Sequence, residues 1–311
     1  MRKPRRLRPG DRIAIVAPAS PFARDAFDAG VAELRALGFE PVFEESVFDR
    51  RHYLAGTGAS RASAFQKAWS DPSIAAVIAA RGGYGSVHLL PLLDPRIFAG
   101  PAKAFIGYSD TTSLLTWLNQ ACGIVAFHGP MVEGRFAAGP AAYDRDTFSR
   151  CLSRAEPAGA ITHPLLEVMK PGEALGTLVG GTLTKLTASL ATPYAFAPPA
   201  GCVLFIDEVA ERPYRLDRML TQLRLAGILD RASALVFGVL PNCDEPGGAP
   251  VGREVVADLV ADFHGPVLYG LPSGHTDEAT ITLPFGVSAR VSAAGRPALI
   301  IEEAAVTDTG D

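Results

Sequence analysis

Apolar residues in the first 130 positions follow two alternating rhythms. Short unbroken runs end in Gly, Pro or Ser, and longer stretches return an apolar residue every three or four positions. Residues 11–17 read as a strand closed by Pro18-Ala19-Ser20. Residues 22–37 read as a helix with Phe27, Val31, Leu34 and Leu37 on one face, stopped by Gly38. A short strand over 41–45 and a helix over 60–69 follow, the helix broken at Asp71-Pro72. Residues 74–80 form a wholly apolar strand that meets the loop Gly82-Gly83-Tyr84-Gly85, and a short helix then runs to about Leu93. Next come an apolar run from Lys103 to Gly107, a helix to about Cys122 and a strand over 124–127. Repeated strand–helix units predict an α/β fold with a parallel sheet covered on both faces. Its chemistry is expected at the C-terminal ends of the strands.

The rhythm loosens over 137–172, where Ala, Gly and Pro are frequent. This divides the chain into an N-terminal domain over 1–140, a linker over 141–172 and a C-terminal domain over 173–311. The second half is mixed. Gly180-Gly181-Thr182-Leu183 opens a helix-like segment. Strands are expected over 202–206, 234–240, 267–269, 289–291 and 298–301, and helices over 216–226 and 254–263.

Composition narrows the class. The chain has 311 residues, 48% hydrophobic and 20% charged, with a net charge of −4. That suits a two-domain soluble protein with no strong attraction to nucleic acid. Arg2, Lys3, Arg5, Arg6, Arg8 and Arg12 crowd the start, but no apolar stretch follows them before Pro9-Gly10-Asp11. They read as a solvated basic tail rather than a secretory leader. No run approaches the roughly 20 apolar residues that span a bilayer. A cytoplasmic protein without membrane or nucleic-acid partners is the expectation. Cys122, Cys151, Cys202 and Cys243 lack C-x-x-C spacing, and the histidines lack H-x-H or H-E-x-x-H spacing, so no metal site is expected.

Candidate chemistry centres on Gly107-Tyr-Ser-Asp110. An apolar strand ends, Ser109 sits on the turn, and Leu114, Leu115 and Leu118 begin a helix. A serine there exposes its hydroxyl before unpaired helix N–H groups, the geometry of a nucleophile elbow. A helix-capping serine is the structural alternative. The Gly82-Gly83 loop lies at another strand end and is suited to donate a backbone N–H beside that of Asp110 to an oxyanion. It matches neither the dinucleotide fingerprint nor the P-loop. Arg81 is a candidate carboxylate ligand. His275, in the polar loop Leu271-Pro-Ser-Gly-His275, is the candidate general base; His128, also at a strand end, is its nearest rival. Asp207 and Glu208 end an apolar strand, and because adjacent residues face opposite sides only one can meet the histidine. Tyr214 and Arg215, in a charged helix start, are candidate substrate contacts. Serine, acid and histidine in that order suggest a serine hydrolase.

Several segments together resemble the LD-carboxypeptidases, the serine peptidase family that includes murein tetrapeptide carboxypeptidases and microcin-immunity-type peptidases. They are Val16-Ala-Pro-Ala-Ser20, Ala80-Arg-Gly-Gly-Tyr-Gly85, Gly107-Tyr-Ser-Asp110, His128-Gly-Pro-Met131, Gly180-Gly181, Pro213-Tyr-Arg-Leu-Asp-Arg-Met-Leu220, Gly274-His275 and Thr282-Leu-Pro-Phe-Gly286. The segments span nearly the whole chain in the family's order. The resemblance implies a Rossmann-like N-terminal layer domain and a smaller mixed β/α C-terminal domain, with the site between them. It implies a Ser–Glu–His triad, with Ser109 as nucleophile, His275 as base, and an oxyanion hole from Asp110 and the Gly82-Gly83 loop. It further implies release of a terminal D-alanine from murein peptides in wall recycling, no cofactor, and a homodimer. The microcin-type activity on a peptidyl- or aminoacyl-nucleotide amide is the nearer alternative, and a non-catalytic anion-binding protein the farther one. The chain departs from the pattern twice. Counting back from Pro213-Tyr-Arg puts Asp207 at the family's Glu position, with Glu208 one place later. Thr182 follows Gly-Gly where the family often has Asn.

Overall fold

Strands that read as unbroken apolar runs do so because both of their faces are covered. Ile74–Ala79 is buried at every position and lies inside a six-stranded sheet. In the computed structural model, which describes residues 1–248 and 250–310, this sheet carries Arg12–Val16 (β1), Glu40–Val42 (β2), Ile74–Ala79 (β3), Ala104–Gly107 (β4) and Ala126–His128 (β5), all parallel. The order is β5-β4-β3-β1-β2, and a late strand, Leu283–Phe285, adds antiparallel beside β5. Arg24–Ala36 (α1), Gly58–Ser70 (α2) and Thr112–Gln120 (α3) lie in the crossovers.

The stretch without a clear rhythm is structured. Arg145–Ser153 (α4) is a helix whose N-cap Asp144 accepts the Thr147 N–H at 2.7 Å and whose Phe148, Cys151 and Leu152 are buried. Gly159–Ile161 (β6) and Glu167–Lys170 (β7) are the two edge strands of an eight-stranded sheet. Strands so short, with no fully buried face, give no alternation to read. Glu173–Thr182 (β8), Cys202–Asp207 (β9), Ala232–Gly238 (β10) and Val267–Leu271 (β11) form its parallel centre. The crossovers are Leu183–Ser189 (α5), Pro213–Leu225 (α6) and Gly252–Val260 (α7). The Gly180-Gly181-Thr182 segment closes β8, and the helix begins one residue later.

Leu283–Phe285 (β12) returns to the first sheet, while Ser288–Ser292 (β13) and Ala298–Ile301 (β14) complete the second. One apolar core runs between both sheets, and a second packs α5, α6 and α7 against β9 and β10. The candidate positions named from the sequence therefore lie where strand ends converge: Arg81 to Gly85 after β3, Ser109 after β4, Asp207 ending β9 and His275 after β11.

Candidate active site

The sharp turn after β4 positions the Ser109 hydroxyl. Tyr108 is extended, and Ser109 then adopts φ 62°, a left-handed conformation unusual for a residue with a side chain. Such a conformation costs on the order of 1–3 kcal/mol and persists only where its surroundings enforce it. Those surroundings are polar and buried. The Asp110 carboxylate accepts the Ser86 N–H at 2.7 Å and pairs with the Lys185 ammonium at 2.5 Å, while Ser86 Oγ donates to the Asp110 carbonyl at 2.6 Å. The buried Arg61 guanidinium donates to Pro18 O and to Gly85 O, the latter at 2.8 Å. The Gly82–Gly85 loop is thereby pinned against the turn. Only glycine permits this approach: a Cβ on Gly82 would stand 2.9 Å from the Ser109 Cβ. The Ser109 hydroxyl pairs with His275 Nε2 at 3.1 Å instead of capping α3.

His275 is held from behind. Its Nδ1 lies 2.7 Å from Asp207 Oδ2, and its backbone N–H donates to Asp207 Oδ1 at 3.2 Å. Asp207 is fully buried, and Thr182 Oγ1 donates to it at 3.4 Å. Burial alone would lower the imidazole pKa, but the adjacent Asp207 charge and hydrogen bond outweigh it, and the net shift is upward. Glu208 points to the opposite side, as alternation along β9 requires. It accepts the Thr184 N–H at 2.8 Å, the Thr184 hydroxyl at 2.6 Å and the Val209 N–H at 2.9 Å, and burial raises its pKa. The carboxylate beside the histidine is thus Asp207.

Gly274 makes that contact possible. It has φ +79°, and a Cβ there would sit 2.6 Å from Asp207 Oδ2 and 2.7 Å from His128 Cε1. Gly274→Ala is expected to cost roughly 1–3 kcal/mol of stability and to push the histidine off the carboxylate. Thermal melting together with the turnover rate checks this, since both should fall.

His128 is a different kind of residue. It is buried against Tyr108, Phe205 and Phe285, with its pKa pushed down to about 4 by burial. Its Nδ1 lies 3.0 Å from Ser273 Oγ, which itself donates to Ile281 O. Nδ1 therefore carries the proton, and the ring is neutral.

The remaining sequence candidates are spread more widely. Gly83 has φ +96°, beside Ser20. Arg81 donates to Pro21 O at 2.7 Å and stands 3.7 Å from Glu133. Tyr214, 54% exposed, and Arg215 bond to each other, and Arg215 also pairs with Glu211 at 3.3 Å; neither bonds to Ser109, His275 or Asp207. Sequence reasoning passed over Lys185, Tyr108 and Arg135. Tyr108 stacks edge-on to His275 at 5.2 Å, and Arg135 donates to carbonyls on both sides of that histidine. Tyr108 lies within the Gly107-Tyr-Ser-Asp110 segment, but its contact with His275, like those of Arg135, joins distant loops and leaves no trace in local periodicity. Among the described residues no cluster of His, Cys, Asp or Glu is placed to hold a metal ion, and no helix is long and apolar enough to cross a membrane.

A hydroxyl, an imidazole and a buried carboxylate in one hydrogen-bonded line can move a proton off the hydroxyl and stabilise the imidazolium formed. Comparison with known proteins shows which family the chain belongs to. The profile of the LD-carboxypeptidase N-terminal domain matches residues 13–129, and that of the LD-carboxypeptidase C-terminal domain matches 175–291. A putative carboxypeptidase of Streptomyces coelicolor is 38% identical, covering 94% of this chain and 93% of its own. A murein tetrapeptide carboxypeptidase of Pseudomonas aeruginosa is 33% identical over 85% of this chain and 88% of its own. The microcin C7 self-immunity protein of Escherichia coli, solved with aspartyl sulfamoyl adenosine, superposes with a TM-score of 0.90 at 26% identity, covering 98% of this chain and 99% of its own.

Proposed function

The chain belongs to the LD-carboxypeptidase family, and on that premise we propose that it is a serine peptidase releasing the terminal D-alanine of murein tetrapeptides. The observation that carries the reading is the continuous line from Ser109 through His275 to Asp207, at 3.1 and 2.7 Å. In this mechanism His275 Nε2 takes the Ser109 proton as the oxygen attacks the carbonyl before the D-residue. The backbone N–H groups of Asp110 and Gly83 receive the oxyanion, each such donor being worth about 3–4 kcal/mol of barrier. Asp207 holds the imidazole tautomer and steadies its charge. His275 then protonates the leaving amine, and a water, deprotonated by the same imidazole, clears the acyl-enzyme. A cytoplasmic setting and a homodimer belong to the same reading, carried by the family resemblance; light scattering on the purified protein reads the second.

The close superposition on the microcin C7 self-immunity protein favours one further reading, cleavage of an aminoacyl-nucleotide amide. Parallel assays on a murein tetrapeptide and an aspartyl sulfamoyl adenosine separate them. Faster turnover of the tetrapeptide is expected; cleavage of the nucleoside compound alone would replace the murein reading.

The mechanism also sets a pH profile. The base must be neutral, and Asp207 raises the pKa of His275 above its ordinary value of about 6.5. The rate should therefore rise with pH through a midpoint above 6.5, and Asp207→Asn should move that midpoint down. A stopped assay of kcat/KM between pH 5 and 9 measures it.

A further inference from the structure

Removing a terminal residue, rather than cutting within a chain, calls for a cation that meets the terminal carboxylate. In the mechanism above His275 hands its proton to the leaving amine. The leaving residue therefore lies on the His275 side of Ser109, and its carboxylate is two bonds from that nitrogen. The cation must stand on the same side.

Most cations near the site already have a carboxylate partner or lie elsewhere. Lys185 is paired with the buried Asp110, and Arg215 with Glu211. Arg61 is buried behind the Gly85 loop. Arg81 flanks the oxyanion loop and has Glu133 at 3.7 Å. Arg135 differs. Its guanidinium donates to Gly274 O at 3.0 Å, to Thr276 O and to Glu278 O at 3.2 Å, so it bridges the residues on either side of His275. Among the described residues no carboxylate lies within 4 Å of it. Its charge bears on both His275 and Tyr108. The segment that carries it forms a wall from one loop to the other. Met131 reaches Gly82, Glu133 meets Arg81, and Arg135 meets the histidine loop.

Arg135 is thus held by neutral groups, three carbonyls and the Tyr108 hydroxyl, with no carboxylate opposing its charge, and two of its five N–H groups stay free of the three carbonyl bonds. Its fork is also ordered in advance, which lowers the entropic cost of binding an anion. Building on the carboxypeptidase reading, we propose that Arg135 binds the carboxylate of the leaving D-residue and so restricts the enzyme to chain ends.

The test compares a murein tetrapeptide ending in D-alanine with the same peptide ending in D-alaninamide. Wild type should favour the acid by about 10- to 100-fold in kcat/KM, the range for a charge-assisted hydrogen bond. Arg135→Gln should bring the acid-to-amide ratio close to one, mainly through KM, Arg135→Lys should restore part of it, and Arg81→Gln should keep it. An Arg135→Gln enzyme that slows on both peptides equally, with the ratio intact, has lost a structural brace, and the proposal fails. Loss of the ratio in Arg81→Gln instead assigns the anchor there and overturns it too. A wild type that cuts acid and amide alike overturns the proposal alone. One that releases neither product overturns the parent reading with it.

Discussion

Ser109→Ala is expected to lose D-alanine release by about 10⁶-fold in kcat, the scale seen when a hydrolase loses its nucleophile. The substitution removes the only hydroxyl bonded to His275 Nε2 among the described residues. Little else should change. The left-handed turn is enforced by Asp110, Ser86 and the Gly82 loop rather than by the serine hydroxyl, so the melting temperature should stay within a few degrees. Substrate binding should survive as well, because the surrounding N–H groups remain. A variant with wild-type melting and no D-alanine release separates lost chemistry from lost fold. Retained release would remove Ser109 from the mechanism.

Asp207→Asn should be the next most damaging change, at about 10⁴-fold in kcat. The amide fills the same space but cannot stabilise the imidazolium, and it turns an N–H toward a ring nitrogen that is itself a donor in the working tautomer. Glu208→Ala acts differently. Its carboxylate accepts the Thr184 N–H in the first turn of α5, so the loss is one of capping, roughly 1–2 kcal/mol of stability. Rate and melting temperature measured on both variants distinguish the two roles. A larger rate loss in the Glu208 variant, at equal folded fraction, would reverse the assignment of the acid.

Much of this site was legible because its residues sit at strand ends that announce themselves. An apolar run closed by Gly107 marked Ser109, and one closed by Asp207-Glu208 marked the acidic pair. Choosing between Asp207 and Glu208 needed three dimensions. Alternation along β9 says that only one can face His275, but which one depends on how β9 registers against β8 and on where the Gly274 loop passes. The pairing of Thr182 with Asp207 in that register puts Asp207 beneath the histidine. Arg135 and Lys185 stayed hidden for a related reason. Each crosses between segments more than 70 positions apart, and local periodicity carries no information about such contacts. Helix α4 was missed although Asp144, Thr147, Phe148, Cys151 and Leu152 hold its cap and its buried face. The Ala, Gly and Pro around it diluted the pattern below what a short helix can show.

Labelling with a serine-directed phosphonate, followed by peptide mapping and a D-alanine assay on the same sample, tests the central claim most directly. The account predicts one adduct, on Ser109, and loss of D-alanine release from murein tetrapeptide in proportion to labelling. Full labelling elsewhere with Ser109 untouched, or D-alanine release that persists when Ser109 is modified, would contradict it.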